Sequence, residues 1–273
     1  MPSYAVIGAS RGIGLEYVRQ LASRSDTVVF AVVRNPAGST HLNAAATGLK
    51  NVHIFPGDVV DYDSLERAAK QVSEVTGGKL DYLIHNAANV DVNTAYKGFD
   101  DYANMEELDT AFISAYKVNS LGPIHAITAF LPLLRASDTK KIVVIGSGAC
   151  DPSSSRALRL PNIVAYAMTK AAALLATTKF AFKLQDEGFV VITLCPGMVD
   201  CSATAGADSA ALADKLNEFS ATVKKNTGLE VTRQTPEESV TAQLKVIDGL
   251  QASHNGLFLK HTGGEYFPRR SEA

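Results

Sequence analysis

The chain has 273 residues, 46% of them hydrophobic, and a formal net charge of −2. That balance, with a sequence pI near 6.3, offers no basic surface for nucleic acid or an anionic membrane, and apolar runs such as 28–33 and 142–145 are far too short to span a bilayer. Size and apolar content suit one α/β domain over 1–273, because no linker-like composition break or internal repeat divides the chain.

In chain order, a first strand over 4–7 follows Met1-Pro2-Ser3 directly, which reads as a chain without a signal peptide. It runs into Gly8-Ala9-Ser10-Arg11-Gly12-Ile13-Gly14 and a helical pattern over 12–23. Glycines there permit a sharp turn and let a pyrophosphate approach the helix N-terminus, where free N–H groups and the dipole favour anions. A second strand over 27–33 ends at Arg34, and no acidic residue occurs between Asp26 and Asp58. A carboxylate on the adenosine ribose, as NAD would call for, is therefore missing. Arg34 and Arg11 would meet the extra 2′-phosphate of NADP(H) through charge-assisted hydrogen bonds. Two solvated surface arginines are the plainer alternative.

Further strands are expected over 52–55, 80–85, 141–145, 190–194 and 257–259, with helical patterns over 40–49, 64–75, 105–135 and 164–185. Continuous apolar strands alternating with helices predict a mostly parallel, doubly wound Rossmann-type sheet covered on both faces, its ligand site beyond the C-terminal strand ends. The stretches 148–162 and 198–235 break this rhythm. Cys150, Cys195 and Cys201 are odd in number and lack metal-ligand spacing, so they read as reduced thiols in a cytoplasmic protein. The histidines are scattered singly, and no metal site is expected.

Among nine tyrosines, one Tyr-x-x-x-Lys occurs, Tyr166 to Lys170, near the start of the 164–185 helix. Residues four apart share a helical face, so the ammonium can lie beside the phenol and lower its pKa from about 10. Such a pair can give and take a proton near neutrality. Ser147 ends the preceding strand, where its hydroxyl can polarise a substrate oxygen.

Taken together, Gly8-x-x-x-Gly12-x-Gly14, Asp58-Val59, Asn86-Ala87-Ala88, Asn119, Ser147, Tyr166, Lys170 and Pro196-Gly197 resemble, in family order, the short-chain dehydrogenase/reductase family, along essentially the whole chain. The resemblance implies that Tyr166 protonates the carbonyl, Ser147 holds the reacting oxygen, and Lys170 lowers the Tyr166 pKa while binding the nicotinamide ribose. It implies that Asn119 supports a water in the proton relay. Asp58 and Val59 would contact adenine, Asn86 and Ala87 would line the cleft, and Pro196, Gly197 and Val199 would sit against the nicotinamide. Pro123 adds an independent argument for Asn119. It has no N–H, so the Asn119 carbonyl loses its helical partner and needs another donor, such as a water; a mere helix kink is the alternative.

Two departures stand out. Cys201 occupies the place where the family commonly has the threonine that contacts the nicotinamide amide, with Ser202 and Thr204 just beyond. The 148–162 stretch is longer than usual, and reads as a pocket wall or as a solvated insertion. The 198–235 stretch should cover the site as a lid. Its stripe of Leu212, Leu216, Phe219 and Val223 would face substrate or, more commonly for such stripes, the protein body. The ending Gly263-Gly264-Glu265 is similar to carbonyl-reductase-like members. The helices over 105–135 and 164–185 resemble those that pair between subunits, implying a homodimer or homotetramer. The expected reaction is NADPH-dependent interconversion of a small-molecule carbonyl and its alcohol. A non-redox isomerase or cyclase retaining NADP, and a silent NADP-binding sensor, are the other classes; the sensor would be expected to have lost the tyrosine, lysine or serine.

Overall fold

The central strands of this chain are apolar on both faces, and the molecule is built around burying both. The computed structural model describes residues 1–266, so the last residues of the predicted unit, 267–273, lie outside the described residues. The strands are β1 (Ser3–Ile7), β2 (Val28–Val33), β3 (Val52–Pro56), β4 (Tyr82–His85), β5 (Lys141–Ile145), β6 (Val190–Cys195) and β7 (Phe258–Lys260). They form one parallel sheet in the order β3-β2-β1-β4-β5-β6-β7. The order reverses between β1 and β4, which opens the crevice beyond their C-terminal ends that such sheets use for ligands.

Successive residues of β1 alternate between two cores, as the strand period of two requires. Ala5 and Ile7 face one core with Phe30, Leu65, Leu83 and Phe130. Tyr4 and Val6 face the other with Tyr17, Leu21, Val29 and Ile192. The first core is covered by α3 (Tyr62–Thr76), α5 (Gly122–Arg135) and α7 (Val164–Lys183). Over the second lie α1 (Gly12–Ala22), α2 (Thr40–Ala46) and α9 (Pro236–Asp248). Burying a side chain the size of Phe30 or Phe130 fully is worth about 1.5–3 kcal/mol.

The expected helix over 105–135 is broken. It is α4 (Met105–Tyr116), a π-helical turn over Lys117–Leu121, and α5. The cause is Pro123, which cannot donate to the Asn119 carbonyl, so the ladder is rerouted and the Gly122 N–H reaches the Lys117 carbonyl instead.

Both irregular stretches contain helices, α6 (Pro152–Leu158) and α8 (Ser209–Thr227). Asp151 caps α6 by accepting from the N–H groups of Ser153 and Ser154 at 2.8 and 2.9 Å. The sequence reading missed α9, although Thr235 and Glu238 form a capping box at its start. That helix carries a buried chain of hydrogen bonds. Tyr17 Oη donates to Gln243 Oε1 at 2.8 Å, Gln243 Nε2 to Ser239 Oγ at 2.9 Å, and Ser239 Oγ to the Pro196 carbonyl at 2.7 Å. No helix among the described residues is long and apolar enough to cross a membrane.

Candidate active site

A cleft of about 1180 Å³ runs along the C-terminal ends of the strands. Its walls include Gly8, Ser10, Arg11, Gly12 and Ile13 of the glycine loop, and Arg34, Asp58, Val59, Asn86 and Ala87 at the ends of β2, β3 and β4. Ser147, Tyr166, Lys170, Pro196, Gly197 and Val199 line it too, so the fold brings most of the expected residues into one space.

Gly14 and Asn119 are behind the wall. A Cβ on Gly14 would lie 2.2 Å from the Gly8 carbonyl oxygen, so this glycine serves the close packing of the loop. Gly8 has φ +84°, and a Cβ on it would meet the Ala87 backbone at 2.6 Å. Asn86 holds the same turn from the side, its Nδ2 donating to the Gly8 carbonyl at 2.9 Å. The loop therefore has a fixed shape before any ligand arrives.

Two features of this region suit a dinucleotide. The α1 N-terminus has no acidic residue in its first turn and no side-chain cap from Arg11, so its dipole favours an anion, with the Gly12 N–H held by Thr204 Oγ1. At the outer end of the cleft Arg34 is exposed, and among the described residues no carboxylate pairs with it. The Asp58 carboxylate accepts from the Val60 N–H at 3.1 Å. Arg11 is committed differently from expectation. Its Nη1 donates to the Ala205 carbonyl at 3.3 Å and ties the glycine loop to the 198–235 segment.

That segment also packs directly on the glycine loop. Thr204 Oγ1 accepts from the Gly12 N–H at 2.9 Å, and the Cys201 thiol packs where a Gly12 Cβ would be, 3.1 Å away. The hydroxyl beside the phosphate loop thus comes from Thr204, three residues on. Burial pushes the Cys201 thiol up to about 11, which leaves it a packing group and not a nucleophile.

At the centre, Tyr166 is on the first turns of α7. Burial raises its phenol above the ordinary tyrosine value, while the neighbouring Ser147 hydroxyl favours the phenolate. The net lowering expected from Lys170 is overturned here, because desolvation is the largest influence on the phenol. The Lys170 ammonium lies 5.8 Å from the Tyr166 ring centroid and donates to the Ile145 carbonyl at 2.8 Å. Burial brings its own pKa down to about 8, so it is mostly charged at neutral pH. Tyr166 at rest is accordingly a neutral proton donor beside a buried cation.

Asn119 is 1% exposed. Its Oδ1 accepts from the Asn89 N–H at 2.6 Å, and its Nδ2 donates to Thr169 Oγ1 at 3.0 Å and to the Asn89 carbonyl at 3.2 Å. The side chain is fully used in fastening the chain after β4 to α7, so only the main-chain carbonyl, deprived by Pro123, remains for a water.

The rest of the cleft is walled by residues that no motif marks. Val92 and Tyr96 come from the loop after β4, Leu158 and Leu160 from α6 and its exit, and Tyr266 from the chain beyond β7. Of the α8 stripe, Leu212, Leu216 and Phe219 line the cleft and Val223 is buried outside it. The stripe thus faces the cleft, against the commoner expectation. Ile163, just before α7, has φ +56°, a conformation costly for a β-branched residue. No group of side chains among the described residues could hold a metal ion.

The family described as short chain dehydrogenase matches residues 3–212. The chain belongs to that family. This short-chain dehydrogenase is 37% identical over 265 residues to the short-chain dehydrogenase/reductase atnB of Arthrinium sp, covering 96% of this chain and 98% of that one. It is 34% identical over 272 residues to the short-chain dehydrogenase/reductase AacuF of Aspergillus aculeatus, covering 97% and 99%. Among solved structures, an NADPH-bound carbonyl reductase from chicken fatty liver superposes with a TM-score of 0.77 at 27% identity, over 97% of this chain and 98% of that one. The Sniffer carbonyl reductase of D. melanogaster shares the fold, with a TM-score of 0.76 at 20% identity over 97% and 98%. The protein is an oxidoreductase of this family, and its structural neighbours include carbonyl reductases.

Proposed function

We propose that the protein is an NADPH-dependent reductase of a ketone or aldehyde, working also in the reverse direction. The observation that carries the reading is Tyr166 held neutral beside Ser147 and the Lys170 cation, inside the cleft that starts at the glycine loop. NADPH, when bound, supplies the hydride. The chain's own residues do the rest. Ser147 donates to the carbonyl oxygen and fixes it, while Tyr166 delivers the phenolic proton to that oxygen as C=O becomes CH–OH. Lys170 offsets the charge left on the phenol, and a water on the Asn119 carbonyl returns the proton.

Gly12, Ile13 and Ser10 would cradle the pyrophosphate, and Arg34 would hold the 2′-phosphate. Asp58 and Val59 would flank the adenine, Ala87 the ribose side, and Pro196, Gly197 and Val199 the nicotinamide. Asn86 and Gly14 would act by fixing the loop. The 198–235 segment would be the lid. The chicken reductase was solved with NADPH, and the unpaired Arg34 supports the same cofactor here.

Exposed Ile113 and Tyr116 on α4, with Met168, Leu175 and Phe182 at seven-residue spacing on α7, give an apolar face for a second copy. A monomeric mass in light scattering at micromolar concentration would remove the homo-oligomer.

The deciding experiment follows loss of reduced-nicotinamide absorbance with a panel of ketones, aldehydes and quinones, with NADPH and NADH in parallel. Consumption of NADPH with one carbonyl class, and much less of NADH, supports the reading. Tight NADPH binding without consumption would transfer it to a non-redox isomerase or cyclase.

A further inference from the structure

The substrate end of the cleft differs in character from the cofactor end. Its surfaces come from Val92, Leu160, Ile163, Met198, Leu216 and Phe219. The charged side chains lining that side are Asp91, Asp208 and Lys260. Both carboxylates are exposed, and the Lys260 ammonium is also exposed, 5.7 Å from the Tyr266 ring centroid. Nothing there offers a cationic cluster to a carboxylate or phosphate, and an anion moved among these apolar walls would be costly.

One polar group in this wall has no task. Tyr96 lines the cleft, half-buried, and among the described residues its hydroxyl makes no hydrogen bond. Its backbone is nevertheless well placed, because the next residue, Lys97, accepts from the Val164 N–H at 3.1 Å, two positions before Tyr166. Lys97 Nζ is itself tied to Glu107 at 2.6 Å. The loop is thus pinned to the helix that bears the proton donor. Tyr96 and Tyr166 line the same cleft. Burial keeps Tyr96 protonated, hence a donor.

A carbonyl oxygen has two lone pairs, and Ser147 and Tyr166 use both. We infer that the substrate is an uncharged, extended apolar ketone with a second neutral oxygen function, and that Tyr96 donates a hydrogen bond to that second oxygen. This inference rests on the reductase reading of the same cleft. Tyr96 is then a specificity-determining residue. It separates oxygenated from plain hydrocarbon ketones of equal size, while the α8 stripe sets the apolar bulk accepted.

The test uses α-tetralone, the hydroxytetralones with one phenolic hydroxyl at each free ring position, and a carboxytetralone. Binding to the NADP⁺-loaded protein is measured by calorimetry, and NADPH consumption separately. At least one hydroxytetralone should bind several-fold to about tenfold tighter than α-tetralone, the worth of one hydrogen bond. Tyr96→Phe should erase that preference and leave α-tetralone affinity unchanged. A preference for the carboxytetralone, no preference for any hydroxytetralone, or a Tyr96→Phe variant that weakens all ligands equally would each overturn the inference. A preference that Tyr96→Phe erases, in a protein that consumes no NADPH, would sink the reductase reading and leave Tyr96 as the reader of that oxygen.

Discussion

The cofactor half and the substrate half of the cleft are built by opposite means. In the first, short motifs at the ends of β1 to β4 are packed so closely that one added Cβ would collide. Gly8 lies against Ala87 and Gly14 against the Gly8 carbonyl, with Asn86 clamping the turn. In the second, walls arrive from the loop after β4, from α6, from α8 and from the chain beyond β7. The sheet ends can be rigid because β1, β2 and β4 are hydrogen-bonded on both sides over two buried cores. The excursions carry their own helices, and the 198–235 segment meets the body through the Thr204 and Arg11 contacts and the hydrogen bond between Gln234 and His261. Precision is thus invested where the cofactor and the proton donor must meet, and variety where substrates differ.

The largest test of this division is Tyr166→Phe. Loss of the general acid should cut kcat by roughly 10²–10⁴-fold, with NADPH affinity in fluorescence titration nearly unchanged, because the phenol belongs to the catalytic centre and not to the cofactor's main grip. Full activity would refute the mechanism. Arg34→Ala should act on the other half alone. Removing a charge-assisted contact worth about 1.5–3 kcal/mol should weaken NADPH by roughly 10–100-fold and NADH far less. Equal losses for both cofactors would take the phosphate role from Arg34.

A pair of glycine substitutions separates the halves by stability. Gly14→Ala puts a Cβ 2.2 Å from a backbone oxygen and should cost about 1–3 kcal/mol in urea denaturation, with weakened dinucleotide binding. Gly206→Ala, in the 198–235 segment, has φ +66° but nothing within 4 Å. It should cost roughly 1–2 kcal/mol through backbone strain alone, less than Gly14→Ala, and leave NADPH affinity nearly intact. Equal costs would contradict the contrast in rigidity.

The last test is of pH dependence. His85, at the end of β4 and facing Gly122 of α5, is buried, and desolvation lowers its pKa from 6.5 to about 3. Between those values the unfolded chain takes a proton that the folded one refuses, so stability falls as pH drops below 6.5 towards 3. The slope from this group is about 1.4 kcal/mol per pH unit, and His85→Gln should remove it from the difference between the two stability–pH curves. A parallel pair of curves would show that His85 is not the group refused.

How much of this was legible beforehand follows the same division. The strand positions and the glycine loop could be read because each is a local pattern, an apolar run or a spacing of glycines, that needs no partner to be recognised. Tyr166 and Lys170 share a helical face for a reason internal to that helix. Pro123 announced a disturbed carbonyl at Asn119, and the π-helical turn is that disturbance. The use of the Asn119 side chain to fasten Asn89 to Thr169 had no such signal, since neither partner is near it in sequence.

The sequence by itself therefore determined the doubly wound architecture, the place of the phosphate loop and the identity of the residues that meet at the strand ends, because hydrophobic period and backbone chemistry are written into consecutive residues. Tertiary structure alone decided that the α8 stripe faces the cleft, that Thr204 meets the Gly12 N–H, and that Tyr96 looks on the same space as Tyr166. These depend on which surfaces of distant segments are brought face to face, and burial then pushes the Tyr166 phenol up and the Lys170 ammonium down.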